Sequence, residues 1–524
     1  MNQYAKLEER ILLRDQQGAS DVFFGLVKNG SPLTELLLEA VRIHAPYTHV
    51  PYHQRLDDGL VKFVNNDHCL LSARATLRLT DLMPGGGFER LPMMQTIWYM
   101  PTGLDPWNQL LGKAPGHYTR MYQLDVSVTP PPPEVHWPDQ EPLETGGSID
   151  ERLNHWLSLV QRSQVVEAYR VFLGLLADTE HRQKVLAQLV FAGLIDIQDR
   201  MLFNRSYTTG HKAYRARATV ELGSAIGWSK AHPVIYAGVP DLAVGPHWHS
   251  TWEMAANVCQ ALLEGRDHDL RQNQGELTPL EQQALEDIVL HGHQPDWQYH
   301  LTDLLKAGKG PRQIIDVLQV AASELMMECG APENYAMPQH TAEYCNTLRW
   351  YFDAFDHPHQ VKLLYVAATM VNTAAHNQAA DPKNGPVKVH RPRGIDSWDP
   401  WQLLNRLDVA LLARNTEESL ALVSAYVHNA FPQSDLVQRL AVASAKFGND
   451  PHNQEICLCL LEDYVQSTAV ARVKLLYGCV TNLTGYRKYG DHLEAYNRYA
   501  EAFGLPIIAA APGDAPVEAL LLED

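Results

Sequence analysis

Four histidines recur at one place in a repeated sequence pattern, and they are the residues best suited to chemistry. Each opens a stretch of amphipathic helix: DHCLLSARATLRL, GHKAYRARATVEL, QHTAEYCNTLRWY and PHNQEICLCLLED. They are His68, His211, His340 and His452. Because a helix N-terminus carries partial positive charge, it keeps an imidazole ring neutral, which is the form that binds metals. The pattern therefore predicts one metal site with a ligand from each repeat.

A second helical segment follows every histidine, which makes a chance match a poor explanation. The segments are LPMMQTIWYM, HPVIYAGVPDL, QVKLLYVAATM and RVKLLYGCVTN. Val361 and Val473 each stand 21 residues after the histidine of their own repeat. Counting 25 residues from the histidine reaches a tyrosine in three repeats: Tyr236, Tyr365 and Tyr477. These tyrosines are catalytic candidates, with helix packing as the alternative role.

The identity of the metal is left open by this pattern. Four nitrogen ligands suit iron, copper, nickel or zinc, and spacing does not choose among them. On an octahedral ion they would leave two positions for dioxygen or substrate, so such a centre would be catalytic. Histidines that only pack or cap helix starts are the alternative. Additional candidates for ligands or pocket residues are His53, His247, His249, His376 and Lys362.

Longer matches pair the four units into two halves. Residues 25–41 match 303–319, with Lys28 over Lys306. Residues 153–176 likewise match 403–427. Repeats one and three thus resemble each other, as do two and four, which indicates a tandem duplication.

The fold class predicted from this organisation is all-α, because three-to-four apolar spacing dominates and alternating strands are hard to find. We predict two helical halves, residues 1–276 and 277–524, related by a pseudo-twofold axis. Segments rich in turn formers, 128–147 and 377–394, are predicted linkers within the halves.

Composition excludes several classes of function. The chain has 524 residues and a formal charge of −18, which argues against nucleic acid or an anionic membrane as the main partner. No apolar run is long enough for a membrane helix, and the first residues lack a hydrophobic signal core, so we expect a cytoplasmic protein. Phosphate-loop, dinucleotide-binding, nucleophile-elbow and H-E-x-x-H motifs are absent.

The helix-start histidines, as in GHKAYRARATVEL, and the Tyr-bearing helices that follow resemble the questin oxidase-like family. The stretch PYTHVPYHQRLDDGL resembles that family's Asn-His-Leu-Pro region, with Thr and Val replacing key neighbours. The first repeat, VKFVNNDHCLL with LPMMQTIWYM, also resembles helical proteins associated with Rieske-type ferredoxin domains. The resemblance implies an all-helical oxygenase that opens rings of aromatic polyketides, with non-heme iron on His68, His211, His340 and His452.

The function expected from residues and resemblance together is an oxygenase with one histidine-held metal, most simply Fe(II). Its partners would be dioxygen, an aromatic or hydrophobic small molecule and, as electron donor, a ferredoxin. The alternatives are a non-catalytic helical-repeat scaffold and a zinc hydrolase.

Overall fold

The structure is a computed structural model. It describes residues 3–13, 15–48, 68–103, 141–197, 200–202, 205–207, 210–243, 247–331, 334–390, 395, 397–447, 451–485 and 492–508. His53 and most of the predicted linker 128–147 lie outside these residues.

The first half of the described chain contains twelve helices. They are α1 Ala5–Leu12, α2 Gln16–Lys28, α3 Leu33–Thr48, α4 Cys69–Thr80, α5 Leu91–Gly103, α6 Ile149–Gln161, α7 Val165–Ala177, α8 Arg182–Leu194, α9 His211–Ile226, α10 His232–Gly238, α11 Ser250–Leu262 and α12 Asp267–Leu270.

Eleven more helices follow among the described residues. They are α13 Pro279–His291, α14 Gln294–Lys306, α15 Pro311–Met327, α16 Ala336–Ala354, α17 Gln360–Ala379, α18 Pro400–Leu412, α19 Thr416–His428, α20 Gln433–Phe447, α21 Pro451–Gln466, α22 Val473–Gly485 and α23 His492–Phe503.

The predicted all-α class is confirmed, with one small departure. A short antiparallel hairpin, Arg200–Leu202 with Arg205–Tyr207, joins α8 to α9. Three-residue strands bury too little to stand alone, so the hairpin is a connection rather than a layer. None of the helices in the described residues has the length and apolar character needed to cross a membrane.

The helices that carry the four histidines pack into one central bundle. α4 contacts α9, α9 contacts α16, α16 contacts α21, and α21 returns to α4. Each is backed by the helix that follows it, α5, α10, α17 or α22. The four inner helices and the helices that follow them are therefore packed as neighbours.

The starts of several helices are set by local sequence chemistry. Ser148, Thr278 and Asp399 each form a capping box with the residue three positions on, which satisfies backbone N–H groups that a helix start would leave exposed. These caps fix the residues at which α6, α13 and α18 begin.

Two pairs of turns have matching backbone conformations. Gly30 and Gly308, which follow α2 and α14, have φ of 83° and 84°, a region that favours glycine. Ser163 and Arg414, between α6 and α7 and between α18 and α19, have φ of 56° and 57°. The aligned segments of the two halves thus share both helices and turns.

The expectation that every repeated histidine begins a helix is wrong for one of them. His68 is the N-cap of α4, His211 is the first residue of α9 and His452 the second of α21. His340 instead lies in the second turn of α16, which begins at Ala336. Pro338 does not end the helix there because a proline in the first turn sacrifices no helical hydrogen bond.

Candidate metal centre

The four repeated histidines form a closed ring inside the central bundle. The ring centroids of His68 and His211 are 4.9 Å apart, and those of His211 and His340 are 4.6 Å apart. His340 and His452 follow at 5.4 Å, and His452 returns to His68 at 4.2 Å. Neighbours in the ring are therefore neighbours in the sequence, and repeats one and three stand on opposite sides.

Water is largely excluded from this ring. The exposed fractions of His68, His211, His340 and His452 are 5%, 1%, 1% and 2%. Ligand atoms of His68, His211 and His452 all lie within 4.8 Å of one another, and His340 stands outside this tighter group. Four buried imidazoles that face each other are costly for packing alone, because each carries polar nitrogens that need partners.

The distances between neighbouring ring centroids are close to those expected around one shared ion. An ion about 2.1 Å from each ring nitrogen would hold neighbouring ring centroids about 4.6 Å apart if the four rings surrounded it in a square. The four measured separations run from 4.2 to 5.4 Å and bracket that value. Nitrogen donors of this kind suit iron, copper, nickel or zinc.

Two buried carboxylates lie against the ring. Glu455 Oε2 is 2.9 Å from His68 Nδ1, and Glu343 Oε2 is 3.4 Å from His340 Nδ1. Because a carboxylate only accepts hydrogen bonds, each contact places the imidazole proton on Nδ1 and orients Nε2 as the metal-binding nitrogen. Both glutamates are 2% exposed or less, so this orientation is held without competition from water.

Two tyrosines contact the same layer. The Tyr214 hydroxyl donates to the backbone carbonyl of His340 at 2.6 Å, and its ring is nearly parallel to the His340 ring at 6.1 Å. The Tyr99 hydroxyl accepts the His68 backbone N–H at 3.3 Å. These phenols fix the backbone of two of the four histidines.

Further along the bundle, four largely buried charged residues form a network of ion pairs. Arg74 contacts Glu221 at 2.8 Å and Glu462 at 3.1 Å, while Arg217 contacts the same two carboxylates at 3.1 and 3.0 Å. Burial alone would raise the pKa of Glu221, but the Arg74 and Arg217 guanidinium groups lower it to about 2. Asn346 extends the network by a hydrogen bond to Arg217.

The predicted catalytic tyrosines occupy helix-packing positions. The Tyr365 hydroxyl pairs with Thr302 Oγ1 at 2.8 Å, and the Tyr236 ring packs near Tyr169 at 6.3 Å. Tyr477 is 9% exposed on α22. Their catalytic role stays a prediction, and Tyr214 and Tyr99 contact His340 and His68.

The additional candidate ligands among the described residues contact groups outside the histidine ring. Lys362 pairs with Asp267 at 3.3 Å and with His359, and His376 contacts the backbone carbonyl of Gly292. His247 and His249 belong to a separate group around Asp196.

The carboxylates were missed by the sequence reasoning, although a signal was present. Glu343 and Glu455 each stand three residues after the repeated histidine, in HTAE and HNQE. Residues three apart share one helix face, so the pair His-x-x-Glu points to one side. Arg74 and Arg217 stand six residues after His68 and His211.

Replacing Glu455 with glutamine should weaken metal binding about 10- to 100-fold, because the amide no longer fixes the His68 proton as strongly as a carboxylate does. Competition between the protein and a chelator for Co(II) or Zn(II) measures this change. Glu501→Gln, on the exposed side of α23, is the control and should leave affinity unaltered. Equal affinities in all three proteins would contradict the role given to Glu455.

No family model, curated protein or solved structure matched the chain in the comparisons made.

Proposed function

We propose that the protein is a metal-dependent oxidoreductase, an oxygenase, whose single ion is held by His68, His211, His340 and His452. The observation that carries this proposal is the buried ring of four imidazoles, in which ligand atoms of His68, His211 and His452 lie within 4.8 Å of one another and His340 closes the ring at centroid distances of 4.6 and 5.4 Å. Four neutral nitrogen ligands leave the positive charge of a divalent ion unneutralised. This charge suits a role in activating dioxygen or substrate better than it suits a purely structural role.

Iron(II) bound there would supply the capacity to react with dioxygen. The chain's own contribution is to exclude water, since all four histidines are buried. Glu455 and Glu343 hold protons at His68 Nδ1 and His340 Nδ1, and carboxylates in these positions increase the electron donation of the imidazoles. Tyr214 keeps the His340 backbone in place.

A hydrophobic small molecule is the substrate class we propose. A cleft of about 570 Å³ lies at the start of α16, between Met327, Tyr335 and Leu420. Tyr335 directly precedes that helix, five residues before His340, which corresponds to about 7.5 Å along a helix axis. Its walls combine these side chains with Lys388, His390 and Glu417, so a cleft of this volume would suit a small aromatic molecule that carries polar groups.

We also propose that the two halves arose by duplication, with repeats one and three and repeats two and four equivalent. The support is the matching φ angles at Gly30 and Gly308 and at Ser163 and Arg414. A twofold axis through the histidine ring would exchange His68 with His340 and His211 with His452, as their order around the ring requires.

Protein purified without a tag should contain close to one transition metal ion per chain, mainly iron, and should consume dioxygen when Fe(II) and a reductant are supplied. Elemental analysis and an oxygen electrode provide the measurements. Because an ion that binds only the folded chain stabilises it by about 2.7 kcal/mol at a hundredfold excess over Kd, Fe(II) should also raise the melting temperature.

The alternatives give different results in the same experiment. Protein that stays metal-free, and whose melting temperature ignores Fe(II), Cu(II) and Zn(II), would favour the helical scaffold. Stoichiometric zinc without dioxygen uptake would favour a hydrolase. Either outcome would overturn the oxygenase proposal.

A further inference from the structure

A second polar cluster lies at the surface, where the turn between α6 and α7 meets the segment before α11. Ser163 Oγ is 3.0 Å from His247 Nε2. The opposite ring nitrogen, His247 Nδ1, is 2.6 Å from Asp196 Oδ2. A hydroxyl, an imidazole and a carboxylate thus stand in line, each at hydrogen-bond distance from the next.

The burial of the three groups changes along this line. Asp196 is 2% exposed, the His247 side chain is 12% exposed, and Ser163 is on the surface. The backbone N–H of Trp248 donates to Asp196 Oδ1 at 2.7 Å, which fixes the carboxylate so that Oδ2 faces the imidazole. A buried acid, a partly covered base and an accessible hydroxyl are the arrangement that nucleophilic catalysis requires.

We propose that Ser163, His247 and Asp196 form a nucleophile–base–acid triad that makes Ser163 an acyl acceptor for small esters. The order Ser, Asp, His along the chain is one of several that produce this geometry on unrelated folds. The site is independent of the histidine ring and does not rest on the oxygenase proposal.

Hydrolysis of the ester at this site would use water as the only co-reactant. Ser163 Oγ bonds to the acyl carbon while its proton passes to His247 Nε2. That proton then leaves with the alcohol as the ester bond breaks. Water attacks the acyl carbon, and His247 takes a proton from the water and returns it to Ser163 Oγ as the acyl–oxygen bond breaks, which releases the carboxylic acid and the free serine.

The position of Lys212 favours this triad over a metal site. Its ammonium nitrogen is 2.6 Å from Asp196 Oδ2 and 3.3 Å from His247 Nδ1, so the place of a cation is already taken. His249 Nε2 is farther, at 4.0 Å from Asp196 Oδ2. Burial and the Lys212 charge lower the pKa of His247, which keeps the ring neutral at pH 7 as a base must be.

The same ammonium sets the expected rate. It opposes the positive charge that His247 acquires during each attack, so we expect slow turnover.

A fluorophosphonate probe on metal-free protein tests the proposal. Ser163 Oγ would displace fluoride from phosphorus, and mass spectrometry should find the label on the peptide that contains Ser163. Ser163→Ala should abolish labelling, and His247→Gln should slow it about 100-fold, the usual contribution of a general base. Ser158→Ala, one turn earlier on α6, is the matched control and should label like the parent protein.

Asp196→Asn is the less informative change, since it leaves the Lys212 ammonium buried without its carboxylate and the variant can fail to fold. His247→Gln avoids this difficulty because glutamine can still hydrogen-bond Asp196, and circular dichroism checks its fold. Label on another residue, or equal labelling rates in the His247→Gln and parent proteins, would overturn the triad. Zinc binding at Asp196 and His247 without labelling would overturn it in favour of a metal site.

Discussion

Replacing His452 with asparagine should remove most of the bound metal and nearly all metal-dependent activity. The imidazole is 2% exposed and lies 4.2 Å from His68 and 5.4 Å from His340, centroid to centroid. Loss of one of four ligands should therefore destroy the shared site. His452 is the second residue of α21, where asparagine is well tolerated, so the metal-free fold should lose only about 1 kcal/mol.

The double variant distinguishes one shared ion from separate sites. If a single ion occupies the ring, His340→Asn together with His452→Asn should be hardly worse than either change alone, because the first already abolishes the site. Metal content by elemental analysis and dioxygen uptake are the two readouts. His291→Asn, at the end of α13, is the control and should keep its metal. Additive losses in the double variant would reject the single-ion centre.

Replacing Arg217 with methionine should lower the free energy of unfolding by about 3–5 kcal/mol, the largest stability effect we expect. Arg217 is 2% exposed and pairs with Glu221, Glu462 and Asn346. Without it, the two carboxylates retain the buried guanidinium of Arg74 and the more exposed one of Arg78, 3.5 Å from Glu462, so the negative charge inside the bundle is less fully compensated. Chemical denaturation of the metal-free protein measures the loss.

Two further variants separate charge from shape. Arg406→Met removes one partner of the more exposed Arg406–Glu418 pair and should cost less than about 1 kcal/mol. Adding Glu221→Gln to Arg217→Met restores neutrality and should recover part of the lost stability. If the double variant is no more stable than Arg217→Met, lost packing rather than unbalanced charge is the cause.

The buried ion pairs also favour one particular packing of the helices, although the interior is polar. Arg74 and Arg217 each contact both Glu221 and Glu462, so sliding any of α4, α9 or α21 by one turn would break at least two ion pairs. Asp463 on α21 accepts hydrogen bonds from Asn346 and Gln319, both at 2.6 Å, which ties α16 and α15 to the same layer. These contacts hold the histidines at one level of the bundle.

Helix positions followed from the sequence because they depend on local patterns. Apolar spacing placed α4, α9, α16 and α21, and the distance from each histidine to the next segment placed α5, α10, α17 and α22. The sequence also singled out His68, His211, His340 and His452, since each lies at the same place in one of four similar segments, and this similarity is visible without coordinates.

Only the tertiary structure decided what surrounds those histidines. Glu343, Glu455, Arg74 and Arg217 are charged residues on helices, and a sequence pattern alone assigns such residues to the solvated face. They are buried because four polar helix faces meet, and three of them have a partner on a different helix, as Glu455 does with His68 and as Arg74 and Arg217 do with Glu462. Ser163, Asp196 and His247 likewise come from three separate segments. Long-range partners of this kind depend on how helices are placed in space, which local residue preferences do not encode.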